Sequence, residues 1–106
     1  MAEILNDENF DKKLAETDKL VLVDFFATWC QPCQIIGPML EKIAEEMKDK
    51  IVLYKVDVEG APMNSQKYGA ERIPTIVFFK AGKPVAGFVG LMAEADIKKI
   101  IEDNSK

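Results

Sequence analysis

The sequence predicts a single α/β domain built on a mixed β-sheet. Continuous apolar runs, which are typical of buried strands, alternate with segments whose apolar residues recur at the three- and four-residue spacings of an amphipathic helix. Near the end of the chain the turn signal Ala81-Gly82-Lys83 joins two strand-like segments, so the alternation is expected to finish in a hairpin. The length of 106 residues fits one domain, and we expect that domain to cover residues 1–106.

The first predicted elements are a short helix and a strand. Asn6 or Asp7 is expected to cap the helix, in which Phe10 and Leu14 are four residues apart and share the inner face. Residues 20–27 are apolar at nearly every position. A continuous apolar run is typical of a strand that is buried on both faces, so we expect this strand to lie in the centre of the sheet.

A longer helix follows and extends to Met47. Its apolar residues form an amphipathic stripe, and Pro38 inside it is expected to kink the helix. The remaining elements are predicted in this order: a strand over residues 51–58, a helix over 62–68 with Gly69 as its C-cap, a strand over 75–80, an edge strand over 84–89 and a final helix over 92–102. Only residues 104–106 are expected to be frayed.

Composition and charge restrict the classes of function. Hydrophobic residues make up 48% of the chain and charged residues 30%, which is ordinary for a soluble globular protein. The formal net charge is -4, with acidic and basic residues interspersed. Nucleic acid and anionic membranes favour concentrated Lys and Arg, so neither is expected as a partner. No apolar run approaches the roughly 18 residues of a membrane span.

Three further absences narrow the expected location and the possible classes of function. The first seven residues have neither the basic start nor the apolar core of a signal peptide, so we expect a cytoplasmic protein. Histidine does not occur in the chain, which excludes Ser-His-Asp and Cys-His catalysis and His-based metal sites. Neither a G-x-G-x-x-G nor a Walker A pattern occurs, so bound nucleotide is not expected.

The two cysteines of the chain, Cys30 and Cys33, stand where the apolar strand gives way to the long helix. At this spacing on a helical turn the two Cβ atoms lie roughly 5–6 Å apart, and a small adjustment closes a disulfide. Cys30 falls at the helix start, where unpaired N–H groups and the helix dipole favour the nucleophilic thiolate. Pro32 suits an early helical position, and Cys33 lies one turn inside, where access to solvent is expected to fall.

Other interpretations of the cysteine pair remain open. A purely structural disulfide would close a very short loop and contribute roughly 2 kcal/mol in the chain-entropy model. Zinc requires four N/S ligands, so this pair would have to share a metal between subunits. Two inert buried thiols are a third possibility. The strand-to-helix context favours a redox-active dithiol, and Gln34 stands where haem attachment needs His.

Asp24 and Lys55 are charged residues inside predicted strands. Asp24 either reaches solvent at a bulge or is a buried acid near the cysteines, with a pKa that desolvation raises toward neutrality. Lys55 is either a solvated strand residue or a charge partner of Asp24.

A set of short motifs runs along the whole chain. They are Val23-Asp24-Phe25-Phe26-Ala27, Trp29-Cys30-Gln31-Pro32-Cys33, Pro38, Lys55, Lys67-Tyr68-Gly69, Ile73-Pro74-Thr75, Phe79-Lys80-Ala81-Gly82 and Gly90. Through these motifs the chain resembles the thioredoxin family over essentially all of its 106 residues.

The resemblance implies the thioredoxin fold, a mixed central β-sheet flanked by four helices. It implies that Asp24 helps to deprotonate Cys33, that Lys55 lies beside Asp24, and that Pro74 is a cis-proline facing the cysteine pair. Residues that the resemblance places in contact with substrate are Trp29, Gln31, Pro32, Val58, Arg72, Ile73, Pro74, Val89 and Gly90.

The implied function is the reduction of protein disulfides by a dithiol carrier. Cys30 would attack the substrate and Cys33 would resolve the mixed disulfide. No bound cofactor and no metal are implied, and a thioredoxin reductase supplied by NADPH or ferredoxin would re-reduce the protein. We expect a monomer. A binding module that uses the fold as a scaffold, or a disulfide oxidase or isomerase, remain alternatives.

The chain departs from the common family pattern at three positions. Gln31 stands where Gly is usual, Gln34 where Lys is usual, and Arg72 where a small residue usually precedes Ile73-Pro74. These departures bear on redox potential and on the choice of partner.

Overall fold

The computed structural model describes residues 2–105 and forms an α/β structure with a mixed sheet. Its elements are β1 (Glu3–Leu5), α1 (Phe10–Ala15), β2 (Leu20–Phe26), α2 (Gln31–Glu46), β3 (Ile51–Asp57), α3 (Pro62–Lys67), β4 (Thr75–Lys80), β5 (Lys83–Val89) and α4 (Glu94–Asn104). The predicted fold class, a mixed β-sheet flanked by four helices, is confirmed, and the sheet has five strands.

The sheet has the strand order β1-β3-β2-β4-β5. Strand β2 pairs in parallel with β3 and antiparallel with β4, so it lies in the middle of the sheet. Six of its seven residues are buried, as the continuous apolar run predicted. Strand β5, which contains Pro84, pairs antiparallel with β4 and forms an edge, also as predicted.

Two apolar layers cover the faces of this sheet. Because side chains alternate along a strand, Val21, Val23 and Phe25 enter one layer, with residues of α1. Leu20 and Leu22 enter the other layer, with residues of α2 and α4. Asp24 has the same parity as Leu20 and Leu22, so its side chain belongs to the face that α2 covers.

The prediction for the first residues is wrong in two respects. Strand β1, which pairs in parallel with β3, was not predicted because a three-residue strand is too short to show a period. Helix α1 has Asn9 as its N-cap, without a side-chain hydrogen bond. The Asn6 side chain instead accepts from the amides of Glu8 and Asn9, within the turn that precedes the helix.

Asp7 does cap a helix, but it is α3. Its carboxylate accepts hydrogen bonds from the backbone amides of Met63 and Asn64, each at 3.0 Å, and from Asn64 Nδ2 at 2.8 Å. The donors are 56 and 57 residues away in the chain, so local sequence patterns could not predict this cap.

The other element boundaries agree with the predictions to within two residues, and those of β4 agree at both ends. Tyr68 is the C-cap of α3, and Gly69 follows it with a φ of +72°, a conformation that glycine adopts without strain. The prediction that the chain is frayed from residue 104 is wrong for Asn104. This residue is the last of α4, and its side-chain amide donates a hydrogen bond to the Ile100 carbonyl. Ser105 likewise donates to Ile101, and Lys106 lies outside the described residues.

Helix α2 continues through Pro38, and the expected kink there stays a prediction. Within residues 2–105, no helix combines the length and the apolar character that crossing a membrane requires.

Candidate active site

The cysteine pair forms a disulfide at the start of α2. Cys30 is the N-cap residue, with extended backbone angles, and Cys33 lies three residues on, in the first turn of the helix. Their Cα atoms are 5.3 Å apart. The backbone amide of Cys33 donates a hydrogen bond to Cys30 Sγ at 3.2 Å. A free amide of the helix start is therefore aimed at the sulfur of Cys30, where it would stabilise negative charge.

The two cysteines do not differ in exposure in this disulfide-linked state. Each is 5% exposed, so the expected fall in solvent access from Cys30 to Cys33 is wrong here. What distinguishes the two sulfurs is their position on the helix, because Cys30 is the cap that accepts a bond and Cys33 supplies the donor.

Asp24 is a buried acid, only 1% exposed, in the centre of β2. In the parallel pairing of β2 with β3 it lies directly beside Lys55, and Lys55 Nζ is 3.9 Å from Asp24 Oδ2. Among the described residues, Asp24 Oδ1 has no hydrogen-bond partner. Burial raises the pKa of Asp24 from 3.8 to about 6; the charge of Lys55 works against this rise, and that of Glu41 adds to it.

Lys55 is held between an acid and an aromatic ring. Its side chain is 22% exposed, and Nζ lies 4.7 Å from the centre of the Phe26 ring as well as near Asp24. The structure therefore favours the charge-partner interpretation of Lys55 over the solvated one. A methyl group at Gly37 on α2 would lie 3.4 Å from Lys55 Nζ, so the glycine keeps this space open.

A solvent-open cavity of about 760 Å³ lies between β3 and the first turns of α2. Cys33, Lys55, Gly37 and Glu41 are among its lining residues. Because Lys55 also contacts Asp24, this cavity connects the neighbourhood of the buried acid with Cys33 and with solvent. The sequence analysis singled out neither Gly37 nor Glu41, since nothing in the local pattern showed that α2 would cross Lys55.

The peptide bond between Ile73 and Pro74 is cis, as the resemblance implied. The Pro74 carbonyl accepts a hydrogen bond from the Gly90 amide at 2.8 Å, so the segment before β4 is tied to the end of β5. Ile73 and Val58 pack against the buried cluster of Ala27, Cys30 and Cys33, which brings these predicted contact residues together at the site.

The remaining predicted contact residues lie on the surface. Trp29 is 67% exposed and Val89 53%, and Gln31 and Pro32 are exposed at the first positions of α2. Arg72 is exposed as well, and its backbone carbonyl accepts from the Thr75 hydroxyl. Five further large apolar residues are exposed and were not predicted as contacts: Ile4, Ile35, Met63, Val85 and Leu91. For Leu91 a signal existed, because it directly follows Gly90.

Comparisons with known proteins agree with this geometry. The family model described as Thioredoxin matches residues 1–103. Thioredoxin-2 of Saccharomyces cerevisiae is 43% identical over 98% of this chain and 98% of its own length. The thioredoxin of Chlorobaculum thiosulfatiphilum is 38% identical over 92% of this chain and 91% of its own. The chain belongs to the thioredoxin family.

Another relative is longer than this chain. Thioredoxin Y1 of Arabidopsis thaliana, a chloroplastic protein, is 41% identical over 93% of this chain, which spans 58% of that relative. In each of these three cases the similarity extends over at least 92% of this chain.

Thioredoxin-family proteins reduce protein disulfides through an active-site cysteine pair and carry no bound cofactor. This chain is accordingly a dithiol–disulfide oxidoreductase, and Cys30 and Cys33 form its redox-active disulfide. Within residues 2–105, no group of three or more Cys, Asp or Glu side chains is arranged to hold a metal ion.

Proposed function

We propose that the protein is a carrier of reducing equivalents in which Cys30 attacks substrate disulfides and Cys33 resolves the product. The observation that carries this division of roles is the hydrogen bond from the Cys33 amide to Cys30 Sγ. In the reduced protein this donor and the positive end of α2 favour a thiolate at Cys30 over one at Cys33.

The exchange proceeds in two displacements. The Cys30 thiolate attacks one sulfur of a substrate disulfide, forms a Cys30–substrate disulfide and expels the other substrate sulfur as a thiolate. The Cys33 thiolate then attacks Cys30 Sγ, forms the Cys30–Cys33 disulfide and expels the second substrate thiolate. Two electrons and two protons pass to the substrate, which becomes a dithiol.

We assign the deprotonation of Cys33 to Asp24. Cys33 must lose a proton before it attacks, and a carboxylate whose pKa is about 6 is mostly ionised at neutral pH yet basic enough to accept one. Lys55 contacts Asp24 and lines the same cavity as Cys33. Its positive charge would stabilise the Asp24 carboxylate until the carboxylate accepts the proton.

The substrate surface surrounds the disulfide. Exposed Trp29 and Val89 offer apolar contacts, and exposed Gln31 and Pro32 lie between the two cysteines at the start of α2. The Ile73-Pro74 segment and Gly90 complete this surface, together with Val58. A disulfide-bearing protein segment would lie across it.

Partners and location follow from the same chemistry. After each turnover the Cys30–Cys33 disulfide needs two electrons, which a thioredoxin reductase supplied by NADPH or ferredoxin would provide. We propose a monomer that works in the cytoplasm, where cysteine pairs are kept reduced and available for catalysis.

A coupled assay tests this function. Insulin reduction is followed by NADPH consumption with an NADPH-dependent thioredoxin reductase. In parallel, it is followed by the precipitation of reduced insulin with a reductase that is supplied with reduced ferredoxin. Both assays use wild type and Cys30→Ser. Wild type should support turnover with one of the reductases, and Cys30→Ser should support none. Equal turnover by the two proteins would contradict the proposal. Turnover by neither would also contradict it and would favour the scaffold alternative, in which a protein lacking both cysteines would still act in cells.

A further inference from the structure

Most of the surface around the cysteine pair is built from uncharged segments, and the exception is the Val58 segment, where Asp57 and Glu59 flank Val58. Residues 26–34, 73–75 and 89–92 supply the cysteines, the cis-proline and the neighbouring strand end, and they contain no Asp, Glu, Lys or Arg. Trp29, Val89 and Leu91 expose apolar side chains there. A charge at the border of these three segments would therefore act on a substrate without competition from a charge within them.

Arg72 stands at that border. It is exposed and directly precedes Ile73, which packs against the cysteines. Its backbone is fixed, because its carbonyl accepts from the hydroxyl of Thr75, a buried residue that pairs with Val89. The Arg72 side chain therefore begins at a fixed backbone position beside the substrate surface, and it is long enough to reach across that surface.

The guanidinium of Arg72 has no partner within the described part of the chain. No carboxylate oxygen of residues 2–105 lies within 4.0 Å of it, although exposed Glu71 is its neighbour in sequence. Two other cations, by contrast, are engaged: Lys55 with Asp24 and the Phe26 ring, and Lys67 over the ring of the next residue. Arg72 is thus available to a substrate.

We propose that Arg72 is a specificity residue that selects protein disulfides with an Asp or Glu beside the reactive cysteine. The inference rests on the proposed function and adds the chemistry of the preferred substrate. A guanidinium offers two parallel N–H groups to a carboxylate, a geometry that an ammonium or an amide does not match. Such a charge at the rim of a contact surface acts mainly on selectivity and on the rate of encounter.

Two disulfide peptides that differ only by Glu or Gln next to the cysteine provide the test. The fully reduced protein is mixed with each peptide at low salt, and the rate of a single turnover is measured. The quantity of interest is the ratio of the Glu-peptide rate to the Gln-peptide rate, compared between variants. This comparison cancels the effect of the glutamate on the peptide's own thiol chemistry.

The ratio for wild type should exceed that for Arg72→Gln roughly two- to fivefold, the range expected for one solvent-exposed ion pair. Arg72→Lys should keep part of this preference, and Arg72→Glu should reverse it. At about 1 M salt the differences between variants should shrink, since screening then acts over roughly 3 Å.

Lys48→Gln is the matched control, because it removes the same charge at the far end of α2. A helix of 16 residues is about 24 Å long, so Lys48 is remote from Cys30, the N-cap of α2, and the control should keep the wild-type ratio.

Equal ratios for wild type, Arg72→Gln and Arg72→Glu would overturn the inference while leaving the proposed function intact. A change in the ratio for Lys48→Gln as large as that for Arg72→Gln would also overturn the inference and leave the proposed function intact. Failure of wild type to reduce either peptide would overturn the proposed function, and the inference would fall with it.

Discussion

At the scale of single residues, Asp24 is a buried charge that the fold compensates only in part. Its nearest cation, Lys55, is 3.9 Å away, and Oδ1 has no hydrogen-bond partner among the described residues. A buried carboxylate with incomplete partners is costly to ionise. We interpret this cost as the means by which the site obtains a proton acceptor with a pKa near 6.

Replacing Asp24 by Asn should stabilise the oxidised protein more at pH 8 than at pH 4. The unfolded carboxyl titrates near 3.8 and the folded one near 6, so between these values the folded state keeps a proton that the unfolded state has lost. Wild-type stability therefore falls as pH rises through this window, and the deficit is complete above pH 6. The free energy gained by Asp24→Asn should be about 2 to 3 kcal/mol larger at pH 8, measured by denaturant unfolding. Equal gains at both pH values would show that Asp24 is solvated.

Replacing Lys55 by Met should raise the pKa of Asp24 above about 6. The positive charge of Lys55 favours the ionised carboxylate, so its removal leaves the desolvation effect unopposed. NMR titration of the Asp24 carboxyl carbon measures the change. Lys50→Met is the control, because Lys50 precedes the same strand and pairs with Glu102 at the surface. A carboxyl that titrates alike in wild type and Lys55→Met would rule out the charge partnership.

These residue-level features were only partly predictable. An acid within a continuous apolar run indicates burial, so the environment of Asp24 could be expected from the sequence. That Lys55 lies beside it depends on the register of β2 against β3, which no local pattern fixes. The roles of Glu41 and Gly37 depend on where α2 crosses that pair, which is a tertiary property.

At the scale of elements, Asp7 ties the N-terminal segment to α3. Its carboxylate accepts three hydrogen bonds from Met63 and Asn64, and the Asn64 backbone bond is the largest cause of its lowered pKa. The capped end of α3 lies just after the turn that follows β3, and it is close in sequence to Val58 of the active site. It therefore helps to fix one border of that site.

Asp7→Ala should lower the midpoint of denaturant unfolding at pH 7. The variant leaves the first amides of α3 without their acceptor. Because the pKa of Asp7 is lowered in the folded state, its contribution is present above the unfolded value of 3.8 and is lost as pH falls through the folded pKa. The difference between wild type and Asp7→Ala should therefore shrink in acid. Asp49→Ala, at another exposed acid, is the control, and an equal effect of the two variants would contradict the capping role.

The limits of sequence-based prediction at this scale have physical causes. Helix α2 and strand β2 were predicted closely because long, strongly periodic or continuously apolar segments carry their own signal. Strand β1 has only three residues and depends on pairing with β3, and the Asp7 cap depends on a contact across more than 50 residues. Neither feature produces a recognisable pattern in the residues next to it in the sequence.

At the scale of the whole molecule, the central β2 supports both the core and the redox site. It leads into the cysteine loop at one end, and it carries Asp24 on the face covered by α2. The order of the five strands was not predictable from residues alone, because the apolar pattern identifies a central strand but does not show which strands pair with it. The resemblance supplied the number of helices, and the pairing then followed from the structure.

The protein should be a monomer of 11.9 kDa in both redox states. The edge strand β1 is only three residues long, and β5 at the other edge contains Pro84 and pairs with β4 across a register shift. Short or irregular edges oppose pairing between molecules, and a net charge of -4 adds repulsion. Sedimentation velocity of the oxidised and reduced protein measures the mass. A species of twice this mass in either state would contradict the expectation.

The central claim is that Cys30 attacks and Cys33 resolves, and trapping of reaction intermediates tests it most directly. Reduced Cys33→Ser and Cys30→Ser proteins are each mixed with oxidised insulin, and covalent adducts are separated without reductant and identified by mass. Cys33→Ser should accumulate an adduct linked through Cys30 that dithiothreitol releases, and Cys30→Ser should accumulate little or none. An adduct that forms on Cys30→Ser as fast as on Cys33→Ser, or faster, would contradict the assignment.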